Sequence, residues 1–101
     1  MIYKLKLSVE AEEDFENYID YIEIECNMPM TAAKHKAGIL EKLLELSENP
    51  HINPIRYSES LRQFGISVRR VNFKKMAIIY TIHTDKVFIH RIVASSMITG
   101  L

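Results

Sequence analysis

The sequence predicts an α+β domain in which a two-helix hairpin packs on an antiparallel sheet of about four strands. Three observations predict this fold. Residues 66–93 have the composition of three consecutive strands, residues 8–47 carry two helical patterns, and residues 2–7 alternate between apolar and polar side chains. Two helices joined by a short turn must bury a shared apolar face, and an antiparallel sheet offers the surface they need.

Length and composition predict one domain over residues 1–101. The chain has 101 residues, of which 48% are hydrophobic, and this is enough for a single core. Cys26 is the only cysteine, which excludes an intramolecular disulfide and a cysteine metal site. The sequence has neither a signal-peptide pattern nor an apolar run of about 20 residues. We therefore expect a cytoplasmic protein with no membrane span, no cofactor and no metal ion.

The first strand is expected at residues 2–7, and Ser8 is a suitable N-cap for the helix that follows it. We expect this helix to end at residues 26–29, where Pro29 turns the chain. Its carboxylates are numerous, and no histidine accompanies them. They include Glu12, Glu13, Asp14, Glu16, Asp20 and Glu23. Like charges one turn apart repel weakly in water, so a solvated outer face is favoured over a catalytic or metal site.

The second helix is expected from a Thr31 cap to about residue 47, before Asn49 and Pro50. The small residues Ala33, Ala37 and Gly38 are expected to let helix backbones approach closely. Gly38 costs such a helix about 1 kcal/mol relative to alanine, which suggests a packing contact at this position. Residues 50–65 are expected to form a long loop. Arg56, Tyr57 and Arg62 in this loop either line a groove or equally decorate the surface.

The three final strands are expected at residues 66–73, 76–83 and 86–93, with a tight turn between the last two. Side chains alternate across a strand, so His90 and Arg91 are expected on opposite faces. At most one of them would then share a face with Arg70. A single histidine on a strand is more often packed or at the surface than catalytic.

The net charge of zero conceals a strong asymmetry between the two halves of the chain. Residues 1–50 hold five basic and eleven acidic side chains, a difference of −6, and residues 51–101 hold eight basic and two acidic ones, a difference of +6. Such a dipolar chain can present a basic surface to an acidic partner or a polyanion.

Several segments, in this order, resemble the RelE/ParE toxins of bacterial type II toxin–antitoxin systems. These segments are the strand ending at Leu7, the acidic helix after Ser8, the leucine-rich helix before Asn49-Pro50, and the motifs VRRV (68–71), AIIY (77–80) and VFIHRIV (87–93). The resemblance covers essentially the whole chain. It implies a growth-inhibiting toxin, associated with plasmid stabilisation, that is neutralised by a cognate antitoxin.

The resemblance leaves the mechanism open. RelE-like members cleave mRNA on the ribosome with basic residues and often a C-terminal Tyr or His, whereas ParE-like members inhibit DNA gyrase by binding. Phosphoryl chemistry requires positioned acid–base groups and cationic side chains that stabilise the charge of the transition state. The candidates for these roles are Arg69, Arg70, Lys74, Lys75, His90 and Arg91. The candidates for partner binding are Arg56, Arg62 and Met97.

The residues after the last strand favour the ParE-like mechanism. Many RelE-like relatives have a His or Arg pair there, but this chain has Ala94-Ser95-Ser96-Met97, and no Tyr or His follows His90. An mRNA endonuclease remains the alternative, as does a degenerate member that binds its antitoxin without being toxic. In each case the basic half of the chain suits an acidic antitoxin segment that folds on binding. The sequence leaves the oligomeric state open.

Overall fold

The computed structural model describes residues 2–95 and contains one four-stranded sheet with two helices on one face. The strands are β1 (Lys4–Leu7), β2 (Arg69–Phe73), β3 (Met76–His83) and β4 (Lys86–Ala94), and the helices are α1 (Val9–Asp20) and α2 (Pro29–Glu48). The expected α+β fold is confirmed. Among the described residues, no helix has both the length and the apolarity that crossing a membrane would require.

The sheet is mixed because β1 pairs in parallel with β4. The strand order is β1-β4-β3-β2, and the other two pairings, β4 with β3 and β3 with β2, are antiparallel as expected. Leu5 of β1 lies beside Val87 of β4. A hydrophobic pattern predicts the buried face of a strand but carries no information on the direction of its neighbour.

The connection from β1 to α1 follows the expected capping. The Ser8 hydroxyl accepts a hydrogen bond from the Ala11 amide at 2.9 Å, and it also donates to the His90 carbonyl at 2.7 Å. One side chain therefore caps α1 and joins the start of this helix to β4. The helix continues beyond Asp20 into a π-helical turn, Tyr21–Glu25.

The expected start of the second helix at Thr31 is wrong. Helix α2 begins at Pro29, with Met28 in the N-cap position. Proline suits the first turn of a helix because its fixed φ angle is helical and its missing N–H would have no intrahelical partner there. The preference for a hydroxyl cap was therefore overridden by the proline two residues earlier.

The main core lies between the helices and the sheet. Its buried members come from α1, α2, β3 and β4, and they include Ala11, Ile39, Leu43, Ile78, Tyr80 and Ile89. A second, smaller core lies on the other face of the sheet, where Leu61 packs with Val68, Ala77 and Ile79. This smaller core fixes the loop that follows α2 against the sheet.

The loop after α2 contains two short 3-10 turns, Pro50–Ile52 and Glu59–Phe64, within the expected irregular stretch. Residues 66–68 are not part of the sheet, so β2 starts at Arg69 instead of residue 66, and Val68 bonds to this loop. The Arg56 amide donates to the Val68 carbonyl at 2.8 Å, and Ile66 is 92% exposed. A run of β-prone residues can thus be extended without belonging to the sheet.

Gly38 faces the ring of Phe73, the last residue of β2. A Cβ atom at position 38 would lie 2.4 Å from Cζ of Phe73. We expect Gly38→Ala to destabilise the wild-type chain, because the lost space outweighs the gain of about 1 kcal/mol in helix propensity. In a Phe73→Leu background the same substitution should be stabilising by about that amount. Urea denaturation of the four proteins checks this, and an equal effect in both backgrounds would contradict it.

Candidate functional site

A β-bulge in β4 changes the expected positions of His90 and Arg91. Ile79 of β3 pairs with Arg91 and Tyr80 pairs with Ile89, so His90 is the extra residue without a partner on β3. Both His90 and Arg91 line one cavity of about 420 Å³. The expectation that they lie on opposite faces is therefore wrong, because a bulge interrupts the alternation of side chains.

The His90 imidazole is held on the face of the sheet opposite the helices. Its Nε2 atom lies 2.8 Å from the Thr81 hydroxyl, and its ring centre lies 4.8 Å from that of Phe88 and 5.4 Å from that of Phe64. The Thr81 hydroxyl also lies 2.7 Å from Nε2 of His83. Because this hydroxyl has one proton, it donates to one imidazole and accepts from the other.

Burial among these rings lowers the pKa of His90, and the nearby His83 lowers it further. The unfolded chain therefore binds a proton more readily than the folded chain does. Stability contributed by His90 is present above its unfolded pKa of about 6.5 and is lost as the pH falls towards its folded pKa.

The wild-type protein should lose stability when the pH is lowered from about 8 to about 5.5, and we expect the His90→Gln protein to lose less. Glutamine does not titrate, and it can still form a hydrogen bond with Thr81. Urea denaturation at the two pH values measures the difference. His51→Gln, at an exposed histidine, is the control and should retain the wild-type dependence. Equal pH dependence in the His90→Gln and wild-type proteins would contradict the prediction.

Arg91 forms a two-bond ion pair with Asp14 of α1. The Nε–Oδ2 distance is 2.7 Å and the Nη2–Oδ1 distance is 2.9 Å, and the Ile92 amide donates to the same carboxylate at 3.0 Å. These hydrogen bonds raise the pKa of Arg91 further above its ordinary range. Asp14 is therefore a structural partner of β4 and does not belong to the solvated acidic face on which the sequence placed it.

The two arginines of β2 have different environments. Arg69 donates from Nη1 to the carbonyl oxygen of Asn53, so it ties β2 to the loop after α2. Arg70 pairs with Ile79 of β3, in the same cross-strand row as Arg91, and its Nε atom donates to Asn72 at 2.8 Å. Partial burial lowers the pKa of Arg70, and the neighbouring positive charge of Arg56 lowers it further.

Arg56, Tyr57 and Arg62 line one cavity, which is one of the two placements that the sequence left open. Its volume is about 440 Å³, and Leu61 and Ile66 contribute apolar walls. Tyr57 is 80% exposed and Ile66 is 92% exposed. Apolar walls between two arginines suit a partner segment that combines apolar and acidic side chains. We refer to this cavity as the arginine cavity.

The remaining sequence-predicted candidates are Lys74, Lys75 and Met97, and the structure does not show any of them beside His90. Lys74 and Lys75 form the turn between β2 and β3. Met76, which follows this turn, is four residues, or about 13 Å, from Tyr80 beside the bulge. Met97 lies outside the described residues. Within residues 2–95 no three His, Cys, Asp or Glu side chains come together in a group that could hold a metal ion.

The structure is a small α+β domain with a β-bulge at which His90 bonds to Thr81 and Arg91 pairs with Asp14. The family model described as "ParE toxin of type II toxin-antitoxin system, parDE" matches residues 5–99. The chain therefore belongs to the ParE toxin family.

A solved structure supports the fold. The chain resembles a protein of the chromosomal ParDE toxin–antitoxin system from P. aeruginosa, with a TM-score of 0.71 and 21% identity. The match covers 92% of this chain and 96% of the other one. No curated protein matches the sequence.

Proposed function

We propose that this member of the ParE family arrests bacterial growth by binding a target such as DNA gyrase, without catalysing a reaction itself, and that a cognate antitoxin neutralises it. The observation that carries the proposal is the two-bond pair of Arg91 with Asp14. In this pair the Asp14 carboxylate neutralises the positive charge of Arg91, and RNA cleavage would need that charge beside His90.

The other candidate groups support the same proposal. Arg69 is committed to backbone carbonyls of the loop after α2, and burial lowers the pKa of His90, which favours its neutral form. Lys74 and Lys75 lie at a distant turn. The basic groups thus do not converge on one reacting phosphate, whereas they do present a broad cationic surface.

The arginine cavity is the proposed docking site for the acidic part of the antitoxin. Arg56 and Arg62 are exposed, and Arg70 extends the positive charge towards β2. Acidic side chains of a segment that folds on binding would pair with these arginines, while its apolar side chains would contact Leu61 and Ile66. Affinity should fall as salt rises, because salt screens these charges.

We expect Arg56→Gln/Arg62→Gln to weaken antitoxin binding roughly tenfold to a hundredfold at low salt. Isothermal titration calorimetry with the purified antitoxin measures the loss. The control is Lys4→Gln/Lys6→Gln, which removes the same charge from β1, three strand spacings or about 14 Å from β2. Equal losses in both variants would show that charge acts diffusely and that the cavity is not the docking site.

The function itself is tested by inducing the chain alone in bacteria. We expect growth arrest without new mRNA 5′ ends, and inhibition of gyrase supercoiling by the purified chain. Co-expression of the antitoxin should restore growth. Arrest with unchanged gyrase activity would point to a different binding target, and a folded chain that causes no arrest would be a degenerate member.

A ribosome-dependent endonuclease is the second candidate, and the bulge is the observation that favours it. The bulge places His90 beside Arg91 in a cavity that is open to solvent, and Arg70 lies in the same cross-strand row as Arg91. New mRNA ends inside translated codons would support this candidate. Arg70→Ala should then remove most of the cleavage rate, and cleavage at the full rate would exclude Arg70 as the group that stabilises the transition state.

A further inference from the structure

Helix α2 carries an apolar stripe that points away from the body of the protein. Its members are exposed residues separated alternately by three and four positions: Met30, Ala33, Ala37, Leu40 and Leu44. The buried side chains of α2, such as Ile39 and Leu43, lie on the other side of the helix. Apolar residues at alternating spacings of three and four positions form the contact line between two paired helices in a coiled coil.

The sizes of these side chains suit an antiparallel pair of α2 helices. The small residues Ala33 and Ala37 precede the large residues Leu40 and Leu44. When two copies run in opposite directions, Ala37 faces Leu40 of the second copy, and Ala33 faces Leu44 of the second copy. Each layer then combines one small and one large side chain, which allows close packing without voids. A parallel pair would place alanine on alanine and leucine on leucine.

The charges beside the stripe favour the same arrangement. Lys34 follows Ala33, and Glu41 follows Leu40, so these two exposed side chains occupy equivalent positions one heptad apart. The antiparallel register that pairs small with large residues also brings Lys34 of each copy to Glu41 of the other. Two-fold symmetry forms this ion pair twice. A parallel pair would not bring them together.

We propose that α2 is the interface of an antiparallel, two-fold symmetric dimer of this chain. The stripe runs over residues 30–44 and is about 21 Å long. An interface of this size is at the small end of specific interfaces, so we expect association in the micromolar range. This inference does not depend on the proposed function, because the arginine cavity lies on the opposite face of the sheet and stays open in such a dimer.

Charge reversal provides a direct test. We would measure sedimentation of the purified full chain over a concentration series for the wild type, Lys34→Glu, Glu41→Lys and the double variant. Each single reversal converts two attractive pairs into two repulsive ones and should weaken dimerisation about tenfold or more. The double variant should recover the wild-type constant. An equimolar mixture of the two single variants should form a heterodimer, because both of its pairs are attractive.

The control is Glu16→Lys, an equal change of charge at an exposed position of α1, which should leave dimerisation unchanged. Circular dichroism checks that every variant is folded. A wild-type chain that stays monomeric at the highest attainable concentration would overturn the proposal, and the stripe would then belong to another protein such as the antitoxin. A dimer that is insensitive to both single reversals, or that the double reversal does not restore, would also overturn it.

Discussion

Replacing Asp14 by alanine should lower the free energy of unfolding by about 3 kcal/mol. The side chain of Asp14 is 15% exposed, and its carboxylate accepts hydrogen bonds from two guanidinium nitrogens and from the Ile92 amide. Alanine would leave the Arg91 charge and a backbone N–H without partners. The side chain of Arg91 is 38% exposed, so solvent would recover part of the lost interaction.

Asp14→Asn is the matched variant for this prediction. It keeps the shape and one acceptor oxygen but removes the charge, so its loss should be smaller, about 1–2 kcal/mol. Glu13→Ala, at an exposed neighbouring carboxylate, should change stability by less than about 0.5 kcal/mol. Urea denaturation gives the three values. Similar losses for Asp14→Ala and Glu13→Ala would mean that the ion pair contributes nothing to the stability of the fold.

Replacing Leu61 by alanine should cost about 3 kcal/mol and should also impair partner binding. Leu61 is 1% exposed, and it is the buried side chain of the 3-10 turn in the small core with Val68, Ala77 and Ile79, against which Phe64 also packs. It also forms a wall of the arginine cavity between Arg56 and Arg62. Loss of this anchor removes the support for the arginines as well as apolar burial.

Leu61→Met separates the two effects, because methionine has nearly the same volume and should cost less than about 1.5 kcal/mol. Antitoxin affinity measured well below the unfolding temperature should fall for Leu61→Ala and change little for Leu61→Met. If affinity were unchanged in Leu61→Ala while stability fell, the arginines would be positioned by the rest of the loop.

Much of the fold could be predicted because it depends on local patterns. Ser8 caps α1 as its position before an acidic turn indicates, and the alternation of residues 2–7 places Leu5 and Leu7 towards the core. Gly38 packs closely against another element, as expected, although the contact is a phenylalanine ring rather than a helix backbone. The loop that holds Arg56 and Arg62 could be predicted from its prolines and Gly65, but whether these arginines line a groove or lie on the open surface could not.

The features that sequence reasoning missed depend on long-range pairing. The bulge at His90 arises from the register of β3 against β4, and no glycine or other local signal marks it. The partner of Asp14 lies 77 positions further along the chain, so a pattern confined to one helix could not distinguish it from its solvated neighbours. The position of His90 at the bulge and the pairing of Asp14 with Arg91 both depend on which distant residues lie nearby in the fold, and residue type alone does not reveal them.

The parallel pairing of β1 with β4 determines when the protein can acquire its fold during synthesis. Leu5 and Leu7 find their partners Val87 and Ile89 only after 82 further positions of the chain have been made. Until then α1 has no completed sheet to pack on, whereas the three strands from Arg69 to Ala94 form a local antiparallel unit. Contacts between distant positions form late because closing a long loop is entropically costly. A ribosome that stalls before residue 86 would therefore carry a chain in which β1 has no partner strand and the main core is incomplete.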